Sequence, residues 1–162
     1  MYKRQVGRLG KADAAVELLC TSDSSCAESL AVALDEVNQE RQELTKNMAK
    51  EAEAMAVANG FDQDDRRCVI LCGDDWHPGV VGIVASRMVE RFGRPAIVLA
   101  REDNILRGSA RSIDGYSIHA GIESAKKHVQ KFGGHDMAAG LSLAVDQFEA
   151  FTASVLEHAR CI

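Results

Sequence analysis

The sequence predicts an α/β fold: a mixed β-sheet flanked by helices and preceded by a long connector helix. Residues 25–60 keep apolar side chains at helical spacing over about 34 positions, which corresponds to a helix roughly 50 Å long. From residue 61 onward, short apolar runs alternate with shorter helical patterns, in the order strand, helix, strand, strand, helix, strand, helix. A chain of 162 residues is long enough for one domain with an attached helical arm.

The N-terminal part contains two helical patterns. Residues 11–20 predict a short helix with inward-facing Ala15, Leu18 and Leu19. Ser25 and Glu28 predict a capping box at the start of the long helix. The middle of that helix, NQERQE, is polar on all sides, which favours a helix that bridges two bodies; an arm of a helical hairpin or dimer is the alternative.

The remaining elements follow in order. Strands are predicted in RCVILC, AIVLA, ILRGSAR and AAGLSLA, with Cys68 and Cys72 as small core residues. Helices are predicted from Val80 to Phe92 and from Ser117 to Phe132. A last helix follows a second capping box, formed by Asp146 and Glu149.

Composition limits the class of protein. Apolar residues make up 46% and charged residues 27%, as is ordinary for a soluble domain. No apolar run approaches the roughly 20 residues that span a bilayer, and the start shows no signal-peptide pattern. The five cysteines include no CxxC pair. We therefore expect a cytoplasmic protein with no membrane partner and no cysteine zinc site.

Positive charge is concentrated in the middle of the chain, although the net charge is −5. Residues 77–135 carry 9 Lys and Arg against 5 Asp and Glu. The preceding residues carry 9 against 15, and the following ones 1 against 4. The basic segment also contains most of three glycine-marked motifs, so we expect any anion-binding site to lie there.

The first motif is WHPG, residues 76–79. Trp76 and His77 precede a helix whose start is marked by Pro78. The amino end of a helix attracts anions, and an exposed indole can stack on a base. The alternative is a core tryptophan beside a solvent-facing histidine.

The second motif is RGSARS, residues 107–112. On a strand, Arg107, Ser109 and Arg111 share one face, where two guanidinium groups and a hydroxyl would suit a phosphate. Solvated surface arginines are the alternative. Gly108 and Ala110 leave the opposite face bare, which indicates close packing there.

The third motif is GGH, residues 133–135. Gly133 and Gly134 predict a turn after the helix that ends at Phe132, and this turn would present His135 to a phosphate. A helix cap followed by an incidental histidine is the alternative.

Catalytic signatures are sparse. Asp74 and Asp75 beside His77 are the only close candidates for metal-assisted hydrolysis, and a solvated acidic loop is the competing interpretation. There is no GxSxG elbow, P-loop or GxGxxG motif. The sequence therefore indicates a binding domain and not a complete catalyst, with no metal ligands of its own.

Three stretches carry a family resemblance: GDDWHPGVVGIVASRMVERFGRPAIVLA, RGSARSIDGYSIHAGIE and KFGGHDMAAGLSL. They resemble the C-terminal DHH-associated domain of the RecJ family of single-strand-specific exonucleases, in the DHH phosphoesterase superfamily. GRLGKADAAVELL resembles the segment that closes the catalytic domain in that family. The first five residues, MYKRQ, instead resemble a translated transposase adaptor, so native sequence is expected to begin at Val6.

The resemblance implies a domain layout and an activity. Residues 6–24 would close a missing DHH domain, residues 25–60 would be the connector, and residues 61–162 would bind substrate. The complete enzyme would be a metal-dependent phosphodiesterase with manganese or magnesium in the DHH domain; these 162 residues alone would be inactive. Its substrate would be single-stranded DNA with a 5′ phosphate, degraded 5′ to 3′ in recombination and repair, and its partners a helicase and a single-strand-binding protein.

The resemblance also assigns residues. Ser109 and Arg111 match the SxR phosphate motif. Gly133, Gly134 and His135 match the GGH motif that faces the metal site, with an assisting role for His135. Arg8 matches a phosphate-binding arginine, while the roles of Trp76, His77 and Arg107 stay open. Two other functions compete: an oligoribonuclease or pAp phosphatase of the same superfamily, and a stand-alone nucleic-acid-binding module without catalysis.

Overall fold

A computed structural model describes residues 13–63 and 66–161. The adaptor-like residues 1–5 and the candidate Arg8 lie outside this part of the chain. The chain forms two compact units, residues 1–47 and 48–162. Helix α2 contributes residues to both units.

The first unit contains helix α1 (Asp13–Cys20) and the beginning of α2 (Ser24–Ala58). The long helix predicted over residues 25–60 is therefore present. Its cap is Asp23 and not the predicted Ser25–Glu28 box: the Asp23 carboxylate accepts the Ser25 hydroxyl and the Ser25 backbone N–H, each at 2.9 Å. The side-chain hydrogen bond from Ser25, together with the backbone one, lowers the pKa of Asp23.

Apolar residues in the first unit are poorly covered. Leu19, predicted to face inward, is 75% exposed, and α1 has no buried side chain. In α2 the described residues before Thr45 are all partly or fully exposed, including Val32. The polar middle of the helix, NQERQE, is thus partly or fully exposed, and its role as a bridge between two bodies stays a prediction.

The second unit is built on a five-stranded mixed sheet with strand order β1-β2-β3-β5-β4, which confirms the predicted fold class. β1 and β2 are parallel, and all other neighbouring pairs are antiparallel. The elements after α2 are β1 (Val69–Gly73), α3 (Val81–Phe92), β2 (Ala96–Glu102), β3 (Ile105–Arg111), α4 (Ile118–Ser124), β4 (Lys131–His135), β5 (Ala138–Ala144) and α5 (Phe148–His158).

Helices cover the two faces of the sheet unequally. Helix α3 packs on β2 and β3, while α4 packs on β4 and β5 and against α5. The two helices lie on opposite faces, because Gly82 of α3 contacts Ser109, whereas His119 of α4 contacts Phe132 on the other face. The first five residues of β2 are fully buried, as predicted for AIVLA. Among the described helices, none covers the α3-bearing face over β4 and β5, where Lys131, Gly133 and Gly140 are exposed.

One predicted helix is much shorter in the structure. The helix predicted from Ser117 to Phe132 ends at Ser124, and a single 3₁₀ turn (Lys126–His128) follows it. Residues 131–135 instead form strand β4, so the prediction of a glycine turn after a helix was wrong. Pairing with β5 outweighs the local helical pattern, because Phe132 suits a strand face as well as a helix face.

The starts of α3 and α5 also differ from the predictions. Helix α3 begins at Val81 with Val80 as its N-cap residue, and the Gly93 cap at its end (φ 64°) is as predicted. Helix α5 begins at Phe148 after a 3₁₀ turn and has no side-chain cap, so the Asp146–Glu149 capping box is not formed.

The cysteines of β1 and its flank behave unequally. Cys68 is fully buried, and burial raises the pKa of its thiol to about 12. Cys72 is half-buried, and the pKa of its thiol is also raised, mainly by burial and to a lesser extent by the nearby Asp74 carboxylate. The prediction of a core residue thus holds for Cys68 and only in part for Cys72. Among the described helices, none is long and apolar enough to cross a bilayer.

Gly133 and Gly134 are adjacent but differ in what they require. Gly134 has φ 149°, and a Cβ there would lie 2.3 Å from the carbonyl oxygen of Ala138. At Gly133 the φ is not positive and no described atom lies within 4 Å of the position of a Cβ. Only Gly134 therefore has to be glycine for reasons internal to the fold.

We expect Gly134→Ala to lower the free energy of unfolding by about 1–3 kcal/mol, through backbone strain and overpacking. Gly133→Ala, its matched control one position earlier, should leave the free energy unchanged or raise it slightly. Urea unfolding followed by circular dichroism measures both. Equal effects of the two substitutions would contradict this account of β4.

Candidate nucleic-acid interface

The register of three antiparallel strands places the predicted motifs on one face of the sheet. Residues directly opposite each other in an antiparallel pair point to the same side. Three rows therefore run across β3, β5 and β4 on one face: Arg111, Ala138 and His135; Ser109, Gly140 and Gly133; Arg107, Ser142 and Lys131. The structure thus brings together every predicted site residue of the second and third motifs except Gly134, which lies on the other face.

An open groove of about 340 Å³ lies over this face, beside the start of α3. Its lining comes from the loop before α3, the first turn of α3 and the three strands: Pro78, Val81, Arg107, Gly108, Ser109, Lys131, Phe132, Gly133, Gly140, Leu141 and Ser142. Two of the three rows therefore lie inside the groove, and the Arg111 row lies next to it.

The first turn of α3 sits directly on the SxR residues. A Cβ at Gly82 would lie 3.0 Å from Nη2 of Arg111 and 3.2 Å from Oγ of Ser109. Glycine at this position lets the helix start approach both side chains. The half-buried Arg111 guanidinium also donates to its neighbouring carbonyl at Ala110 over 2.8 Å, which helps to fix its position.

This geometry favours an anion beside Ser109. The amino end of a helix carries a partial positive charge and backbone N–H groups without intrahelical acceptors. Arg111 adds a full charge and a fork of donors, and Ser109 adds a hydroxyl. A phosphate placed here would meet all three.

The turn between β4 and β5 is held from outside the hairpin, which fixes where His135 lies. The hydroxyl of Ser117 donates to the Asp136 carboxylate over 2.6 Å, and the Ile118 N–H donates to the Asp136 carbonyl over 3.0 Å. The Ser112 N–H donates to the carbonyl of Met137 over 3.0 Å. His135 itself is exposed at the end of β4.

Sequence reasoning missed Asp136 and recognised Ser117 only as a helix start. The helix-start role is confirmed, since the Ser117 oxygen accepts the Ala120 N–H at 3.1 Å as the N-cap of α4. Nothing in the spacing of residues 117 and 136 could show that one side chain joins a cap to a hairpin turn, because the contact depends on tertiary packing.

The WHPG motif does not supply a stacking surface. Trp76 is only 3% exposed, and a Cβ at Gly73 would lie 2.3 Å from its indole, so the ring packs on the β1 backbone. Its Nε1 has no hydrogen-bond partner among the described residues. Nδ1 of His77 accepts the Gly79 N–H at 3.0 Å and stabilises the turn before α3. Neither side chain lines the groove. Of the two interpretations of Trp76, the structure bears out the core tryptophan and contradicts the exposed stacking ring.

Several other arginines of the basic segment are committed elsewhere. Arg94 donates to the carbonyls of Phe61, Gln63 and Arg66 and so holds the loop before β1. Arg91 pairs with Glu53 at 2.6 Å. Arg101 pairs with Asp74 at 3.2 Å on the surface.

No metal centre is visible in residues 13–63 and 66–161, where no three His, Cys, Asp or Glu side chains are grouped to hold an ion. The acidic pair Asp74–Asp75 is exposed, and Asp74 contacts Arg101.

Residues 65–160 match the family model of the DHHA1 domain. The chain is 45% identical over 143 residues to the single-stranded-DNA-specific exonuclease RecJ of Bacillus subtilis, a match that covers 87% of this chain and 18% of that protein. It is also similar in structure to RecJ of Thermus thermophilus crystallised with Mg²⁺, with a TM-score of 0.88 and 32% identity over 99% of this chain and 25% of that one. The Thermus structure with Mn²⁺ gives the same TM-score and identity, and this chain covers 23% of it.

The chain therefore spans about a fifth to a quarter of the length of these relatives. Its likeness to the Thermus structures extends over nearly the whole chain, including the first unit.

We expect Ser117→Ala to lower the free energy of unfolding by about 1–2 kcal/mol, because both the helix cap and the bond to Asp136 are lost. Amide hydrogen exchange at residues 135–137 should become faster. Ser154→Ala is the matched control, since that hydroxyl donates only to Ala150 within α5. An unchanged exchange rate in the turn would show that Ser117 does not hold it.

Proposed function

The chain belongs to the DHHA1 domain family, and on that premise we propose that it is the substrate-binding part of a single-strand-specific 5′-to-3′ DNA exonuclease of recombination and repair. One observation carries the proposal: Ser109, Arg111 and the first turn of α3 converge beside an open groove on the sheet. Such a site binds the backbone of a strand without reading its bases.

Ser109 and Arg111 hold a phosphate of the bound strand. Arg111 neutralises part of its charge and fixes its orientation through paired N–H donors, while Ser109 donates a hydroxyl. The helix start at Val81 and Gly82 adds dipolar attraction. Arg8, which lies outside the described residues, would contribute a further phosphate contact.

His135 lies next to the groove, at the end where the phosphate to be cleaved would be bound. It shares a row with Arg111, and its backbone is fixed by the pinned turn at Asp136. From there the imidazole donates a hydrogen bond to an oxygen of the phosphate to be cleaved. Its contribution is to assist and orient.

Hydrolysis belongs to a preceding DHH domain in the complete protein. We place a divalent ion in that domain, either magnesium or manganese, the two ions with which the Thermus RecJ structures were determined. Such an ion would supply an activated water and neutralise the phosphate. In this layout residues 6–24 close the catalytic domain, α2 connects it to residues 61–162, and this chain alone has no nuclease activity.

We also propose a cytoplasmic location, with a helicase and a single-strand-binding protein as partners that expose and deliver single strands.

A mutational test follows from the phosphate clamp that Ser109 and Arg111 would form. Arg111→Ala should weaken the binding of 5′-phosphorylated single-stranded DNA and lower the salt slope of binding by about 0.7, the share of one lost phosphate contact. Arg87→Ala is the matched control: it removes the same charge from an exposed position of α3 that does not line the groove. Fluorescence anisotropy from low to moderate salt measures both variants, and equal behaviour would overturn the clamp.

The rival functions predict different substrates for the complete protein. With the upstream coding sequence restored, we expect the rate of hydrolysis to rise with length over a series of 5′-phosphorylated DNA strands. A preference for dinucleotides to tetranucleotides, or for pAp, would instead identify a short-oligonucleotide phosphodiesterase. An upstream sequence without a DHH motif would identify a binding module without catalysis.

A further inference from the structure

We propose that Arg107, Lys131 and Ser142 form a second phosphate subsite, so that the groove binds two consecutive phosphates of one strand. This proposal rests on the proposed function, since it places the second phosphate beside the one held by Ser109 and Arg111. It assigns a role to Arg107 and adds Lys131 and Ser142 as contact residues. The smallest ligand that would fill both subsites is a dinucleotide that carries two phosphates.

The three side chains form one row across the sheet. Arg107 lies opposite Ser142, and Ser142 lies opposite Lys131, so their side chains share the groove face. All three line the groove. This row is separated from the Arg111 row by four residues along β3, or about 13–14 Å at the usual rise of a strand. Ser109 lies midway, so a phosphate held between Ser109 and Arg111 leaves room for one sugar before the next phosphate.

The charge of the row suits a phosphate. Lys131 is exposed and has no carboxylate at ion-pair distance in the part of the chain that the structure describes. Arg107 pairs with Glu102 at 2.5 Å, but both side chains are largely in solvent, with 58% and 43% exposed. An exposed pair of this kind contributes little free energy, so a phosphate can compete with Glu102 for the guanidinium.

The middle row explains why a sugar can lie between the two phosphates. Gly133 and Gly140 are directly opposite each other and both are exposed. A Cβ at Gly133 would meet no described atom within 4 Å, and a Cβ at Gly140 would meet only the Gly108 carbonyl oxygen at 3.9 Å. Neither glycine is needed to avoid a clash within the described fold. The bare backbone instead leaves space for a ligand to lie close to the sheet.

The test compares ligands with one and two phosphates on the 162-residue chain. Binding of thymidine 5′-monophosphate, of the 5′-phosphorylated dinucleotide pTpT and of inorganic phosphate is measured by NMR titration, which suits weak binding. We expect pTpT to bind at least about tenfold more tightly than the mononucleotide. In the double variant Arg107→Ala/Lys131→Ala that advantage should fall by about tenfold, with the mononucleotide affinity nearly unchanged.

Two further variants separate a specific subsite from general charge. Lys126→Ala/Lys127→Ala removes the same two charges from an exposed 3₁₀ turn that does not line the groove, and it should keep most of the pTpT advantage. Glu102→Gln should increase pTpT affinity about threefold, because Arg107 loses its competing partner. A folding defect cannot produce such a gain.

The outcomes distinguish the two proposals. If Arg111→Ala weakens both nucleotides but the Arg107/Lys131 variant keeps the full pTpT advantage, the second subsite is wrong and the proposed function stands. If the control pair reduces the advantage equally, the effect is general electrostatics and the subsite is again wrong. If the chain binds neither nucleotide more tightly than inorganic phosphate, both proposals fail.

Discussion

The antiparallel pairing of β3, β5 and β4 is the constraint on which the site depends. Because side chains alternate along each strand, the register that buries Leu106 and Leu143 on one face also places Arg107 and Ser142 on the other. Packing on the covered face therefore specifies the geometry of the open one. The hydrophobic core on the covered face therefore also aligns the residues of the groove.

The basic segment divides its arginines between support and binding. Arg94 holds three backbone carbonyls, whereas Arg111 lies between a helix start and an open groove. Net charge alone could locate the segment but could not distinguish these uses, because the partners of Arg94 lie 28 to 33 residues away in sequence. Only the tertiary structure separates an arginine that holds a loop from one that lies beside the groove.

Much of the architecture could be predicted from local patterns. The buried strand β2, the helix cap at Gly93 and the shared face of Arg107, Ser109 and Arg111 follow from periodicity and backbone preference, which are local properties. Strand β4 could not, since its residues fit a helix until β5 pairs with them. The packing of Trp76 depends on the absence of a side chain at Gly73 beneath it, and only the folded sheet shows that the two meet.

The interleaving of core and groove residues makes this hairpin sensitive to changes in the length of its strands. Removing a single codon within β5 would rotate the rest of the strand by one position, which would bring leucines into solvent and the Ser142 hydroxyl into the core. At the two-residue connection Asp136–Met137, which joins β4 to β5, an insertion would leave both strands intact. Natural variation in length among related chains should therefore be concentrated in the connections and be absent from the paired strands.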